Sequence, residues 1–231
     1  MNYIIWNNKD SREIQELMIL ELPPITKPNM RVKETVVDGV DGSIIEELGY
    51  ESYDKTIAVG LKVGADVDKV IEYFTGSGMI TFSNEPNRYY IARIIKGIDY
   101  NRLLRYRKAT ITFRVQPFKY DRTEEEKVMV SPSQRMTVEN LGNHTAKPII
   151  TIKGEGVVEL TLNGTMICKY EFPQGEDTVI IDSEKQDAYF EGFLKNRHMT
   201  GEFPVLVKGD NVLTWSGTVA SVRIKHYSRW L

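Results

Sequence analysis

Two glycine pairs are the positions at which this sequence comes nearest to a phosphate-binding motif. Gly154-Glu155-Gly156 follows a predicted strand, and Gly76-Ser77-Gly78 follows a predicted helix. A nucleotide-binding loop needs a third glycine leading into a helix, or a following Lys-Ser/Thr pair, because backbone N–H groups and a helix N-terminus hold the phosphates. Neither stretch has these features. The first is therefore interpreted as a tight β-turn and the second as a helix terminator.

Histidine and cysteine chemistry is the second possibility. The histidines, His144, His198 and His226, are dispersed, and none lies at ligand spacing from another or near Cys168. Because a zinc site needs three or four converging ligands, each is interpreted as a surface or turn histidine. Cys168 lies in an alternating strand pattern without a Cys-His signature, which is typical of a buried structural thiol. The sequence therefore predicts no catalytic, cofactor-binding or metal-binding residue.

The carboxylates of the sequence leave open a function in the hydrolysis of sugars. A glycosidase needs two carboxyl groups that face each other across the sugar, and the sequence alone does not decide whether two of them meet in space. The candidates are Asp38, Asp41, Glu46, Glu47, Asp66, Asp68, Asp177, Asp182 and Asp187. Most lie in predicted turns, where Asp accepts backbone hydrogen bonds. We therefore predict that the protein is not an enzyme and rank a wall-degrading hydrolase third among its functions.

Aromatic residues make carbohydrate binding the main alternative function. Rings on one face of a β-sandwich can stack on a sugar, and the candidates are Trp6, Trp215, Trp230, Tyr189, Phe190 and Phe193. Trp215 alternates with Leu213 along one strand, so its ring is predicted to lie in the core. The other rings leave open a function as a carbohydrate-binding module.

Composition limits the partners. The chain of 231 residues has 30 basic and 32 acidic residues and a formal net charge of −2, so it lacks the basic surface that nucleic acids require. No apolar run approaches the ~20 residues of a membrane span, and the N-terminus has no basic start typical of a secretory signal. A single cysteine excludes an internal disulfide and fits folding in a reducing cytosol. We expect no nucleic acid and no membrane as partner.

The patterning divides the chain near residues 121–137. The run DRTEEEKVMVSPSQ is rich in acids and contains Ser-Pro-Ser, which favours a solvated connection. We therefore place one domain at residues 1–130 and a second at residues 137–231.

The first domain is predicted to be α+β with one helix. Asp66 can cap that helix, because apolar residues follow it at helical spacing, namely Val67, Val70, Ile71 and Phe74. Asp10 to Glu13 resembles a capping box and predicts a short helical turn. The predicted strands are Lys55–Val63, Met79–Phe82, Tyr89–Ile95 and Ala109–Pro117. In the last of these, Ile111, Phe113 and Val115 alternate with polar residues, which predicts one buried face.

The second domain is predicted to be a β-sandwich, so the fold class is mainly β. Asn163-Gly164 between alternating flanks is a strong hairpin signal, because both turn positions need φ > 0. The predicted strands are Arg135–Glu139, Pro148–Lys153, Val157–Leu162, Met166–Phe172, Thr178–Asp182, Val205–Val207, Asn211–Ser216 and Ser221–Arg229.

Turn and anchor residues follow a characteristic order along both domains. In the first domain they are Pro28, Arg31, Gly39, Asp41, Gly42, Leu48, Gly49, Tyr50, Gly76, Gly78, Tyr89, Tyr90, Phe113, Val115, Pro117, Phe118 and Tyr120. In the second they are Asn140, Gly142, Asn143, Pro148, Gly154, Gly156, Asn163, Gly164, Asp182, Asp187, Tyr189, Asn196, Gly201, Pro204, Gly209, Asn211, Arg229 and Trp230. This order resembles one known family, the distal tail proteins (Dit) of long-tailed phages. With this resemblance, the alternative carbohydrate-binding module would act in host adsorption.

This resemblance implies a ring-forming (belt) domain followed by a galectin-like β-sandwich. The implied function is that of a structural hub of the virion tail tip, made in the bacterial host cytoplasm. Its implied assembly is a hexameric ring that joins the tail tube protein to the tail-tip hub and receptor-binding proteins. Strands such as Tyr89–Ile95 and Ala109–Pro117 are long enough to pair between subunits by edge addition.

Overall fold

The structure is a computed structural model that describes residues 1–39, 41–98, 105–121, 127–130 (backbone only) and 134–231. It divides the chain into two compact units, Met1–Arg122 and Thr123–Trp230. Much of the predicted junction at 121–137 lies outside the described residues. The domain ranges 1–130 and 137–231 therefore stay a prediction.

In its described residues, the N-terminal unit is built on antiparallel strands that accompany a short helix. In chain order its strands are β1 (Ile4–Trp6), β2 (Lys9–Asp10), β3 (Leu17–Glu21), β4 (Met30–Thr35), β5 (Ile44–Tyr50), β6 (Tyr53–Leu61), β7 (Ser77–Phe82), β8 (Arg88–Ile94) and β9 (Lys108–Asp121). A 3-10 turn spans Ser11–Glu13, and helix α1 spans Val67–Tyr73. The main sheet has the order β2-β1-β7-β8-β9-β6-β3, whereas β4 and β5 form a separate two-stranded sheet.

The alternation in β9 is confirmed. Ile111, Phe113 and Val115 are fully buried, while Thr112 and Arg114 between them are partly exposed. The strand continues beyond Pro117, where it was predicted to end. An irregularity in the pairing of β8 with β9 accommodates the proline, which has no N–H to donate.

Helix α1 begins as predicted, because Oδ1 of Asp66 accepts from the backbone N–H of Asp68 at 3.1 Å. Val70 and Phe74 are buried as expected, but Ile71 is only half-buried. Tyr73 fills part of the core position that was expected for Ile71. The Tyr73 ring is buried, and its hydroxyl donates to backbone carbonyls of β1 and β2. A tyrosine can occupy a core position when its hydroxyl finds such a partner.

In its described residues, the C-terminal unit is β apart from a 3-10 turn at Asn196–His198. Its strands are β10 (Lys127–Val130), β11 (Arg135–Asn140), β12 (Ile149–Leu162), β13 (Thr165–Glu171), β14 (Thr178–Asp182), β15 (Asp187–Phe190), β16 (Phe193–Leu194), β17 (Met199–Gly201), β18 (Gly209–Lys225) and β19 (Arg229–Trp230). The predicted strand at Val205–Val207 is only an isolated bridge at Leu206. Asn163 and Gly164 have φ of 51° and 83°, so the predicted hairpin turn is confirmed.

Two long strands, β12 and β18, take part in both layers of the sandwich. Their first and second halves pair with different neighbours: β18 pairs with β11 through its first half and with β10 through its second. β12 likewise pairs with β14 through its first half and with β13 through its second. The sequence predicted each of these as two strands, because glycines interrupt the patterns.

The prediction of a tight turn at Gly154-Glu155-Gly156 is wrong. Both glycines lie inside β12, at the place where its register against β18 shifts. A Cβ on Gly154 would lie 2.5 Å from the carbonyl oxygen of Thr218, and a Cβ on Gly217 would lie 2.2 Å from that of Val157. Glycine is required there because the two backbones cross too closely for a side chain.

The core of this unit is formed by the inward-facing side chains of both layers. Its buried members include Met136, Val138, Ile150, Ile152, Val158, Leu160, Cys168, Tyr170, Val179, Ile181, Leu213, Trp215, Val222 and Ile224. Trp215 is 4% exposed and Cys168 is fully buried, so both core predictions are confirmed.

Replacing Gly217 should destabilise the unit far more than replacing Gly164. Both have positive φ, 93° and 83°, so Gly164→Ala should cost about 1 kcal/mol of unfolding free energy through backbone strain alone. A Cβ meets nothing within 4 Å at Gly164, whereas Gly217→Ala forces the two strands apart and should cost about 3 kcal/mol or more. Urea unfolding of both variants measures the difference, and equal losses would contradict the close crossing.

Candidate interaction surfaces

The described residues contain no group of three or more His, Cys, Asp or Glu that could hold a metal ion. Burial raises the pKa of the Cys168 thiol to about 12, so the nucleophilic thiolate is suppressed. None of the helices in this part of the chain is long and apolar enough to cross a membrane.

The predicted carboxylates serve structural roles where their partners are seen. Oδ1 of Asp182 accepts from the backbone N–H of Glu184 and of Lys185, both at 3.1 Å, which confirms a turn-capping role. Asp177 accepts from Thr178 Oγ1 and lies 3.2 Å from Lys153 Nζ. These two partners hold the pKa of Asp177 below its usual value.

The interpretation of His226 as a surface or turn residue is wrong. Its side chain is 6% exposed, and its Nε2 lies 3.0 Å from the carbonyl oxygen of Glu139. His144 and His198 are half-buried. His226 follows β18, where the alternation of buried residues continues past the end of the strand; Ile224 and Ser228 are also buried. This continued alternation was the signal from which the burial of His226 could have been predicted.

The hairpin of β4 and β5, residues 30–50, is here called the arm. Every residue of β4 is exposed, and all but the last of β5. Among its described residues, the arm carries seven large apolar side chains that are between 37% and 72% exposed, namely Met30, Val32, Val36, Val37, Ile44, Ile45 and Leu48. A two-stranded hairpin is marginal in water, and apolar groups clustered in this way are typical of a protein-binding surface.

Polar contacts hold the arm as a hairpin. Lys33 and Glu46 face each other across the strands, with Nζ and Oε2 3.6 Å apart. Arg31 donates to the carbonyl oxygen of Leu48 at 2.8 Å. Cross-strand contacts of this kind fix the register, which places Ile44 and Leu48 on one face of the arm and Val32 and Ile45 on the other.

The strands predicted for edge pairing are not edges. β8 lies between β7 and β9, and β9 lies between β8 and β6. Each thus has a neighbouring strand on both sides, and Phe113, Arg114 and Val115 of β9 pair with both neighbours. The expectation that these strands serve as sheet edges is therefore wrong. Among the described strands of the sheet order, β2 and β3 stand at the ends.

A buried lysine lies beneath the start of the arm. Lys55 is 2% exposed, and its Nζ donates to the carbonyl oxygen of Pro24 at 2.9 Å. The same atom lies 5.5, 5.9 and 5.0 Å from the ring centroids of Tyr53, Phe82 and Tyr90. Burial lowers the pKa of Lys55 to about 8. The spacing of Lys55 with the buried Ile57 and Val59 could have revealed it, because strand residues two apart share a face.

Part of the predicted aromatic platform lines a cleft in the C-terminal unit. Its volume is about 440 Å³, and its lining is Gly175, Glu176, Asp177, Phe190, Glu191, Phe193 and Lys195. β15 and β16 place Phe190 opposite Phe193, whose ring is 70% exposed. Trp6 and Trp215 are buried and cannot stack on a sugar, while Tyr189 and Trp230 are half-buried.

Comparison with known proteins identifies the fold. No protein-family model and no curated protein matches the sequence. The structure matches the Dit protein of phage SPP1, described as a paradigm of the hub adsorption apparatus in phages that infect Gram-positive bacteria, with a TM-score of 0.71 and 16% identity over 100% of both chains. A structure of the phage P2 baseplate in its activated conformation with calcium matches with a TM-score of 0.49 and 8% identity over 98% of each chain.

The first of these matches confirms the resemblance to Dit as a shared fold. It extends over both units, although few residues are identical. The mainly β fold class is confirmed with it.

Raising the pH should stabilise the N-terminal unit through Lys55. Its folded-state pKa is about 8 against an ordinary 10.5, so between these values the unfolded chain binds a proton that the folded chain lacks. Unfolding free energy therefore rises with pH in this window. We expect a gain on the order of 1–2 kcal/mol between pH of about 7.5 and about 9.5, measured by urea unfolding.

Lys55→Met provides the control, because it removes this titration and keeps an apolar side chain of similar length. The chosen window ends below the ordinary tyrosine pKa of about 10, so ionisation of Tyr53, Tyr73 and Tyr90 contributes little. An identical pH slope in the parent protein and in Lys55→Met would contradict the assignment.

Proposed function

We propose that this protein is a structural hub at the tail tip of a long-tailed phage. The supporting observation is the exposed apolar arm, carried on a fold that spans the whole chain of SPP1 Dit. In this proposal the arm binds a neighbouring copy, and a repeated head-to-tail contact closes into a ring. The ring is hexameric by analogy with the family that the motifs resemble.

The proposed ring joins the tail tube protein to the tail-tip hub and receptor-binding proteins. Self-association belongs to residues 1–130, since the arm lies there, and residues 137–231 alone are monomeric. The protein then works in the virion after synthesis in the cytoplasm of the bacterial host. The role is non-enzymatic, in keeping with the structural partners of Asp177 and Asp182 and with the suppressed thiolate of Cys168.

A second candidate function is carbohydrate binding at the cleft of the C-terminal unit. The observation that favours it is the exposed ring of Phe193 beside the carboxylates of Glu176 and Asp177. An aromatic face and nearby hydrogen-bond acceptors are the groups that recognise a sugar ring.

Polar substitutions in the arm should prevent assembly without unfolding the protein. Ile44 and Ile45 are 63% and 61% exposed, so Ile44→Asn with Ile45→Asn should leave the free chain stable. If both are buried between copies, each loses about 1.5–3 kcal/mol of transfer free energy, and self-association should weaken about 100-fold or more.

Sedimentation velocity and negative-stain images across a concentration series, with and without tail tube protein, measure this association. Leu141→Asn is the matched control, because Leu141 is 59% exposed in the other unit. Rings from the arm variant at the same concentration as from the control would refute the proposed role of the arm. A parent protein that stays monomeric even with the tail tube would refute the hub assignment.

Removing the ring of Phe193 decides the second candidate. Phe193→Ala should weaken retention on purified cell-wall polysaccharide about tenfold, with Met166→Ala as control because Met166 is also exposed, at 61%. If the parent protein is not retained at all, carbohydrate binding at this cleft is rejected and the hub proposal is unaffected.

A further inference from the structure

The chain that enters the arm cannot be held by ordinary sheet pairing. Between β3 and β4 it contains three prolines, Pro23, Pro24 and Pro28, which have no N–H to donate to a neighbouring strand. Pro23 and Pro28 are buried, while the residues between them are exposed. The backbone carbonyls of this entry segment, residues 22–29, are therefore its main means of attachment to the sheet.

Side chains from the sheet side bind those carbonyls. Asn84 Nδ2 donates to the carbonyl oxygen of Pro23 at 3.0 Å, and Lys55 Nζ donates to that of Pro24 at 2.9 Å. Tyr53 adds a longer contact, 3.4 Å from its hydroxyl to the carbonyl oxygen of Thr26. Three long-range contacts thus fall within four consecutive residues of the entry segment.

Lys55 is an unusual residue for its surroundings. Burial of an ammonium group costs free energy, and well-packed apolar residues often replace buried charges without loss of stability. Three aromatic rings, those of Tyr53, Phe82 and Tyr90, surround it and offset part of that cost through cation–π attraction. An apolar side chain of the same length could not donate a hydrogen bond to the carbonyl oxygen of Pro24.

The other strand of the arm is attached directly. β5 ends at Tyr50 and β6 begins at Tyr53, so the arm leaves the main sheet within two residues on that side. At its base, Glu51 N–H donates to the carbonyl oxygen of Asn29 at 2.9 Å. The direction of the arm is thus set by β6 on one side and by the bound entry segment on the other.

We propose that Lys55 and Asn84, supported by Tyr53, form a latch that fixes the entry segment and so orients the arm before another copy is bound. The latch residues are positioning residues, since the apolar side chains of the arm make the contact between copies. This inference rests on the proposed role of the arm in self-association. A pre-oriented arm lowers the ordering cost of association, because less conformational freedom is lost on binding.

The test is hydrogen exchange in the full chain at a concentration where it is monomeric. Lys55→Met and Asn84→Ala should each accelerate exchange of the Glu51 amide, whose N–H donates to the carbonyl oxygen of Asn29 at the end of the entry segment, about tenfold or more. Exchange in β6 and β9 should stay as in the parent protein, because the core of the unit is retained. The concentration needed for self-association should rise about tenfold in both variants.

Tyr73→Phe is the matched control. Tyr73 is also buried in this unit, 4% exposed, and its hydroxyl donates to backbone carbonyls, but to those of Ile4 and Lys9 rather than of the entry segment. It should not change exchange of the Glu51 amide. Unchanged exchange of that amide in both Lys55→Met and Asn84→Ala overturns the latch, as does equal acceleration in Tyr73→Phe.

The two proposals fail separately. If the parent protein never self-associates, the hub proposal fails, while the exchange rates of the monomer still decide the latch. If exchange accelerates as expected but self-association is unchanged, the latch as an orienting device for assembly is overturned and the hub proposal stands.

Discussion

Backbone groups that no neighbouring strand can pair are the constraint on which both units depend. A buried N–H or C=O without a partner costs about as much as a lost hydrogen bond, and this chain satisfies many of them with side-chain amides. Asn140 donates to the carbonyl oxygen of His144 at 2.9 Å and accepts from Gly142 N–H at 3.0 Å. The fully buried Asn211 both donates to and accepts from the backbone of Val207.

These asparagines belong to the motifs that carry the resemblance to distal tail proteins, which gives the motifs a physical meaning. They close turns and hold strand ends through hydrogen bonds to backbone groups. Arg229 acts similarly, since its Nε donates to the carbonyl oxygen of Thr145 at 2.7 Å. The fold shared with SPP1 Dit is present here at 16% identity.

Local patterns were readable from the sequence, and long-range placement was not. The helix after Asp66, the buried face of β9 and the Asn163-Gly164 turn follow from short-range rules of capping, alternation and backbone conformation. The continuity of β12 through Gly154 does not follow from such rules, because the sequence alone does not distinguish a glycine at a close strand crossing from a glycine in a turn. The position of β8 and β9 inside the sheet was also hidden, since strand order is set by tertiary contacts. Of the candidate surfaces, the arm lay within predicted motifs, but its exposure emerged only with the fold.

The sharing of β18 between both layers has a consequence for how the protein is made. β18 pairs with β10, β11 and β12, all of which lie earlier in the sequence. During translation those three strands leave the ribosome well before residues 209–225, so their common partner arrives last. Late, non-local pairing of this kind is slow and leaves strand edges exposed in the meantime. The nascent C-terminal unit therefore passes through a period of vulnerability to aggregation, when chaperones of the translating cell would bind it most.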